Sequence, residues 1–105
     1  MARRSPTPLD VFDLEEADDV PFKFGKEMTP DEAIVAVDVQ CRSIGDVVDP
    51  SPMSAVSTPY QVVGTDVIQR VASAVEGARY IVRVRATMNT GRVFVGAAHV
   101  AIVKL

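Results

Sequence analysis

Apolar and polar residues alternate most clearly in the last third of the chain. Between Tyr80 and Met88 the even-numbered residues are apolar, and the odd-numbered ones are arginines and a threonine, with Ile81 as the exception. A period of two predicts a strand. The segment 89–91 breaks the alternation with residues that favour tight turns, and a β-branched run resumes at Val93. The pattern predicts a long β-hairpin with one buried and one solvated face.

Shorter alternating stretches upstream predict the strands of a second layer. Residues 21–25 predict an edge strand that begins at a proline, residues 33–42 a strand that follows at most one helical turn, and residues 59–64 a short strand. In the second of these, Val35, Val37, Val39 and Cys41 are expected on one face. Residues 43–58 are rich in Gly, Pro, Ser and Asp, which predicts a turn-rich crossing between sheets with a short β piece at 47–48.

The segment 65–76 supports two interpretations. Thr65 is a suitable N-cap, Gly77 a suitable helix stop, and the apolar residues between them fit a helical stripe, so local signals slightly favour a helix. The alternative places Val67, Gln69 and Val71 on one face of a strand. The residues of this segment alone do not decide between them.

Charge is distributed unevenly along the chain, although the net charge is only −3. Residues 1–20 contain six acids, all between 10 and 19, with few apolar residues, which predicts an acidic extended arm in front of a domain at 21–105. Within the arm an apolar cluster precedes two acids, and this stretch either docks on a neighbouring subunit or is an inert tail. The residues concerned are Val11, Phe12, Leu14, Glu15 and Glu16.

Basic residues concentrate on the solvated face of the predicted hairpin. Arg79, Arg83 and Arg85 alternate along its first strand, and Arg92 follows the turn. One interpretation is a solvated face that discourages edge-to-edge pairing. The other is a surface that receives acidic protein, such as segment 10–19 of another subunit. An acidic front and a basic back suit contact between protein subunits better than nucleic-acid binding.

Residue types with catalytic or metal-binding chemistry are sparse. A single cysteine, Cys41, excludes an intrachain disulfide and a multi-cysteine metal site, and its apolar neighbours predict a buried structural residue. His99, the only histidine, has no nearby partner for acid–base or metal chemistry, so we expect a packed or interface histidine. No enzyme, cofactor or metal site is predicted. The chain also has no secretory signal pattern and no apolar run near the roughly 18 residues of a membrane span, which predicts a soluble protein of a reducing compartment without membrane contact.

Two resemblances rest on the same stretch of sequence. Residues 77–91, a glycine followed by a tyrosine and an alternating valine strand, resemble the penultimate strand of fibronectin type III and related immunoglobulin-like sandwiches. This implies that the hydroxyl of Tyr80 ties back to the chain as a tyrosine corner. Residues 22–105 are similar to small bacteriophage virion proteins of the immunoglobulin-like fibre and head-tail accessory kind. The matching residues are Phe22, Pro30, Asp31, Glu32, Asp38, Gly77, Tyr80, Val82, Arg85, Gly91 and Arg92.

The chain also departs from this family. It has no tryptophan where those proteins often carry one after the first strand's aspartate, and Ser73-Ala74 stands where they have a pair of glycines. With these departures, the resemblance implies an all-β, immunoglobulin-like β-sandwich of six or seven strands with an extended N-terminal arm, in which 65–76 forms a strand. The implied function is a non-enzymatic subunit of a head-tail, decoration or fibre-base assembly, located in a virion assembled in the host cytoplasm. Its partners would be copies of itself and other virion proteins. The alternative is a free-standing fibronectin-like adhesion or ligand-binding module.

Overall fold

A computed structural model describes the backbone of residues 2–4, 10–14, 18–72, 75 and 77–102, and side chains from Asp19 onward within these ranges. The described part of the chain is all-β, with one short 3-10 helix at Pro52–Val56. Its strands are β1 (Ala2–Arg4), β2 (Asp10–Leu14), β3 (Asp18–Lys23), β4 (Ile34–Ile44), β5 (Gln61–Val63), β6 (Asp66–Val71), β7 (Arg79–Met88) and β8 (Val93–Ile102).

The strands form two sheets that pack face to face. The large sheet has the order β1–β8–β7–β4, and β2 also pairs with β8; the small sheet has the order β3–β6–β5. β4, β7 and β8 run antiparallel, as do all strands of the small sheet, whereas β1 and β2 run parallel to β8. The fold is therefore two largely antiparallel sheets, which confirms the all-β prediction.

The β7–β8 hairpin forms as predicted and supplies most of the core. Tyr80, Val82, Val84 and the other even-numbered residues of β7 are at most 1% exposed, because they face the small sheet. Beside them in the same sheet, Phe94 of β8 stacks on Phe24, with the ring centroids 6.5 Å apart. This inner face excludes water, while the odd-numbered residues of β7 lie on the outer face of the large sheet.

The segment 65–76 contains a strand, β6, and the helical interpretation is wrong for the described residues 66–71. Val67, Gln69 and Val71 are buried at 1% exposure or less, in the alternation of a strand. β6 is central in its sheet, so both of its edges are hydrogen-bonded, and the Gln69 amide donates to the carbonyl oxygens of Val56 at 3.3 Å and Thr58 at 2.8 Å. These long-range bonds override the local helix signals.

β4 differs from its prediction at one point. The register with β7 shifts between Ile34 and Ala36, which marks a β-bulge, and the shift turns Val35 outward, where it is 62% exposed. Val37, Val39 and Cys41 face the core as expected. The expectation that Val35 shares their face is wrong. The bulge inserts one extra residue into β4, so the residues before it point to the opposite face from the one that the alternation predicts.

The crossing between the sheets contains no strand at 47–48, contrary to expectation. Val48 is 66% exposed, and the chain bends at Gly45, whose φ of +87° favours glycine. The Asp49 N–H donates to Ser43 Oγ at 3.0 Å. This bond folds the crossing back on the end of β4, which leaves no straight segment for a strand to pair with.

The N-terminal segment lies along the edge of β8 of the same chain. β1 pairs with Val93–Val95 and β2 with Ala98–Ile102. The predicted boundary after residue 20 falls within β3, and the edge strand expected at 21–25 is found at 18–23. The predicted contact of the arm with a neighbouring subunit stays a prediction.

Candidate interaction surfaces

The outer face of the large sheet carries a basic strip formed by Arg79, Arg83 and Arg85. All three side chains are exposed, since the alternation that buries the even-numbered residues of β7 turns these outward. The strip makes no ion pair with any side chain that the structure describes. On β4 the register neighbour of Arg83 is Gln40, and that of Arg85 is Asp38. The strip is therefore a positively charged surface that has no counter-charge within 4 Å among the described side chains.

A shallow depression on the same outer face runs beside the strip. Gln40 and Arg42 of β4 and Ile81 and Arg83 of β7 line it. Ile81, the apolar exception in the alternation, is half-buried here. The surface thus combines guanidinium groups with one apolar side chain, a composition that suits protein contact.

Arg92 does not lie on the basic strip. Its guanidinium turns into the end of the sandwich, where it forms an ion pair with Glu32 at 3.0 Å and donates to the Glu27 carbonyl oxygen at 3.2 Å. Its terminal carbon also lies 4.8 Å from the centroid of the Phe94 ring. The structure therefore separates Arg92 from the three strand arginines and gives it a role within the fold.

The partner of Arg92, Glu32, is buried and joins two distant turns. Its carboxylate accepts hydrogen bonds from the Thr90 hydroxyl and from the Thr29 N–H at 2.9 Å, as well as from Arg92. These donors, led by Thr90, hold the pKa of Glu32 below its ordinary value. The bond from Thr29 N–H is one half of the capping box suggested by the sequence, formed here in a turn.

Asn89 ties the same two turns together through the backbone. Its side-chain oxygen accepts from the Ala33 N–H at 3.1 Å, its side-chain amide donates to the Asp31 carbonyl at 3.2 Å, and its own N–H donates to the Ala33 carbonyl at 2.9 Å. The hairpin turn is therefore clamped to the start of β4. Sequence reasoning missed this clamp, although two of the motif pieces that carried the resemblance, 30–32 and 91–92, meet in it.

Tyr80 occupies the other end of the core, at the start of β7. Its hydroxyl accepts from the Val75 N–H at 2.8 Å and donates to Asp49 Oδ2 at 2.8 Å. Asp49 is buried and also accepts from the Ser51 N–H at 2.8 Å. Burial is the main cause that raises the pKa of Tyr80 to about 12, and the Asp49 carboxylate raises it further. The expected tie of this hydroxyl back to the chain is present, and it also anchors the crossing between sheets.

Cys41 and His99 show no arrangement for chemistry among the described residues. Cys41 is 7% exposed, and burial raises the pKa of its thiol to about 11, so the reactive thiolate is disfavoured. His99 lies on β8 opposite Ile81, and its Nε2 atom is buried without a hydrogen-bond partner in the described structure. Among the residues described, no group of three or more potential metal ligands exists.

The predicted N-terminal contact residues lie partly within the described backbone. Val11, Phe12 and Leu14 belong to β2, where their backbone pairs with His99, Val100 and Ile102. Glu15 and Glu16 lie outside the described residues. Because β8 separates β2 from β7, the backbone of β2 is about 10 Å from the strip-bearing strand.

No protein family matches this chain, and no curated protein matches it significantly. Within the described part of the chain, no helix is long and apolar enough to cross a membrane.

Proposed function

We propose that this chain is a non-enzymatic assembly subunit of a bacteriophage particle, which binds copies of itself and other virion proteins. The observation that carries the proposal is the basic strip, Arg79, Arg83 and Arg85, which is exposed and unpaired among the described side chains. Five acids between Asp10 and Asp18 of the same sequence provide a complementary charge, whereas Asp19 pairs with Arg70 of its own chain at 3.4 Å. Opposite charges on two surfaces of one chain favour contact between copies.

The proposed fold is an immunoglobulin-like sandwich. Such sandwiches carry strands in the order B, E, D in one sheet and C, F, G in the other. The orders β3–β6–β5 and β4–β7–β8 follow the same sequence along the chain, and β2 adds to the edge of β8. A tyrosine at the start of the F strand that bonds backbone a few residues upstream is a further mark of the group, and the bond from Val75 N–H to Tyr80 matches it.

A role in binding rather than catalysis is supported by what the buried polar groups do. Glu32, Asp49, Gln69 and Tyr80 all use their hydrogen bonds to join segments of the fold. They therefore stabilise a scaffold that presents its outer sheet face to a partner. The resemblance of 22–105 to phage fibre and head-tail proteins directs the proposal to a virion.

The contact is tested with a fluorescent peptide of residues 8–20 titrated into the full chain, with fluorescence anisotropy as the readout. We expect saturable binding that weakens as salt rises. The double variant Arg83→Glu/Arg85→Glu should bind at least roughly tenfold more weakly, since two attractive contacts become repulsive. Lys23→Glu/Lys26→Glu is the matched control, because it makes the same change of charge at two exposed cations outside the basic strip. Equal binding by the double variant and the wild type would refute the strip as the receiving surface.

The virion location needs its own experiment. Immunogold labelling with an antibody against the chain should mark one fixed position on purified phage particles produced by the source host. Particles without label, together with the chain recovered only outside them, would refute the virion role and leave the free-standing module.

A further inference from the structure

β4 is the outermost strand of the large sheet. It pairs with β7 on one side, and no strand among the described residues pairs with its other side. It is also the longest of the described strands, with eleven residues. From Val37 to Ile44 it is regular, without proline or inward-facing charge, but the 3-10 helix at Pro52–Val56 lies against it and covers part of its edge. The bulge at its start protects only the first residues.

The backbone groups of this edge are available to another strand once the Met53 side chain moves aside. The Cys41 N–H points away from β7, since it donates to the Met53 sulfur at 3.2 Å. Alternate residues of a strand direct their N–H and C=O groups to the same side, so those of Val37, Val39 and Ser43 also face outward. A thioether is a weak acceptor that a strand carbonyl outcompetes, and Met53 is an exposed side chain.

The sequence of β4 is complementary to itself in one register. If two copies pair antiparallel about a two-fold axis at Gln40, Asp38 of each copy lies opposite Arg42 of the other. Ala36 then lies opposite Ile44 and Val39 opposite Cys41, whereas Val37 lies opposite Ser43. Moving the axis by one residue in either direction separates the two charges.

The charges of β4 are only partly matched within the chain. Arg42 is exposed, and its register neighbour on β7 is Ile81. Asp38 has Arg85 as its register neighbour, but the two make no ion pair in the described structure. On the inner face, Val37 and Val39 are only half-buried, unlike the valines of β7. A second copy of β4 would supply a carboxylate to Arg42 and cover this apolar edge.

We infer that two copies of the chain associate through their β4 strands, paired antiparallel about Gln40, which joins their large sheets into one continuous sheet. Residues whose backbone groups point out of the sheet edge, Val39 and Cys41 of the partner copy, exchange the backbone hydrogen bonds. The contact is isologous, so each stabilising pair occurs twice. It is separate from the basic strip and does not depend on the virion role.

Charge reversal tests the register. Sedimentation equilibrium of the wild-type chain should show a monomer–dimer equilibrium. Asp38→Arg should weaken the dimer roughly tenfold to a hundredfold, because two opposite-charge pairs become like-charge pairs. Arg42→Asp should do the same, and the double variant Asp38→Arg/Arg42→Asp should restore the dimer. A monomeric wild type, or a double variant no better than the single ones, overturns the proposal.

A disulfide tests the axis directly. In a Cys41→Ala background, Gln40→Cys places one thiol per chain at the two-fold axis, where the Cα atoms of a non-hydrogen-bonded pair lie about 4.5 Å apart. Mild oxidation should yield a disulfide-linked dimer on a non-reducing gel. The control, Arg83→Cys in the same background, lies one strand further in, and its Cα atoms would be roughly 14 Å apart across the axis, too far for a disulfide. Equal cross-linking of both variants, or of neither, contradicts the pairing.

The two proposals fail separately. If the mass in solution is unchanged in Arg83→Glu/Arg85→Glu but falls in Asp38→Arg, the β4 contact stands and the acidic-segment contact does not. If only the strip variants reduce association, the β4 inference is wrong and the proposed function keeps its support.

Discussion

Tyr80→Phe removes one oxygen atom from the buried junction between the crossing segment and β7. The hydroxyl makes two hydrogen bonds of 2.8 Å, to the Val75 N–H and to Asp49 Oδ2. The side chain is 0% exposed, so water does not replace the lost donor. A hydrogen bond to a charged acceptor contributes about 1.5–3 kcal/mol, and the Asp49 oxygen is left buried without it. We therefore expect the free energy of unfolding to fall by about 2–3 kcal/mol.

Urea unfolding followed by circular dichroism measures this loss. The midpoint should fall with an unchanged slope, and the melting temperature should drop by roughly 10–20 °C for a domain of this size. The control is Tyr60→Phe, since Tyr60 is 39% exposed and should change stability by less than about 0.5 kcal/mol. If Tyr80→Phe is as stable as Tyr60→Phe, the hydroxyl does not anchor the crossing and the argument fails.

The same hydroxyl predicts a loss of stability at high pH. The pKa of Tyr80 rises from 10.0 to about 12 in the folded chain. The unfolded chain therefore releases this proton first, so the contribution is complete below about pH 10 and is lost as the pH rises to about 12. Two pKa units correspond to about 2.7 kcal/mol. Cys41 acts in an overlapping window from 9.0 to about 11, so Tyr80→Phe is compared with its parent in a Cys41→Ala background. An equal alkaline decrease in both chains would exclude Tyr80 as its source.

Three further substitutions test other parts of the fold. Arg92→Leu leaves the buried Glu32 carboxylate without its cation and should lower the urea midpoint. Because the pKa of Glu32 is lowered in the folded chain, its stabilising contribution is present above about pH 4.5 and disappears as the pH falls through the folded pKa. An acid titration of the stability of wild type and variant checks this. Gly96→Ala would place a Cβ atom 3.2 Å from the Phe22 ring, so thermal unfolding should show a loss of about 1–3 kcal/mol. Val35→Thr should change stability by less than about 0.5 kcal/mol in the same assay, because the bulge exposes this side chain, and a large loss would show that it faces the core.

The parts of the fold that the sequence predicted are those in which neighbours along the chain carry the signal. In β7 every inward position is apolar and every outward position but one is polar, so its faces follow from a period of two. The turn after Met88 is also marked by its own residues. The predicted outward position of Arg79, Arg83 and Arg85 follows from the same alternation.

The parts that the sequence did not predict depend on partners far away in the chain. β6 has good local helix signals, and only its two neighbouring strands make it extended. The sequence around Arg92 predicts one more surface arginine, because its partner Glu32 lies sixty residues earlier in the chain. The bulge that turns Val35 outward arises from the register between β4 and β7, and this register is a property of two strands together.

Association of the chain through charged surfaces is the central claim, and its mass in solution tests it most directly. Light scattering on the full-length chain over a series of concentrations and salt levels should show a discrete multiple of the 11.3 kDa monomer at low salt. This mass should fall as salt rises and in the Arg83→Glu/Arg85→Glu variant, but not in Lys23→Glu/Lys26→Glu. A mass of 11.3 kDa at every concentration and salt level would contradict self-assembly through these surfaces.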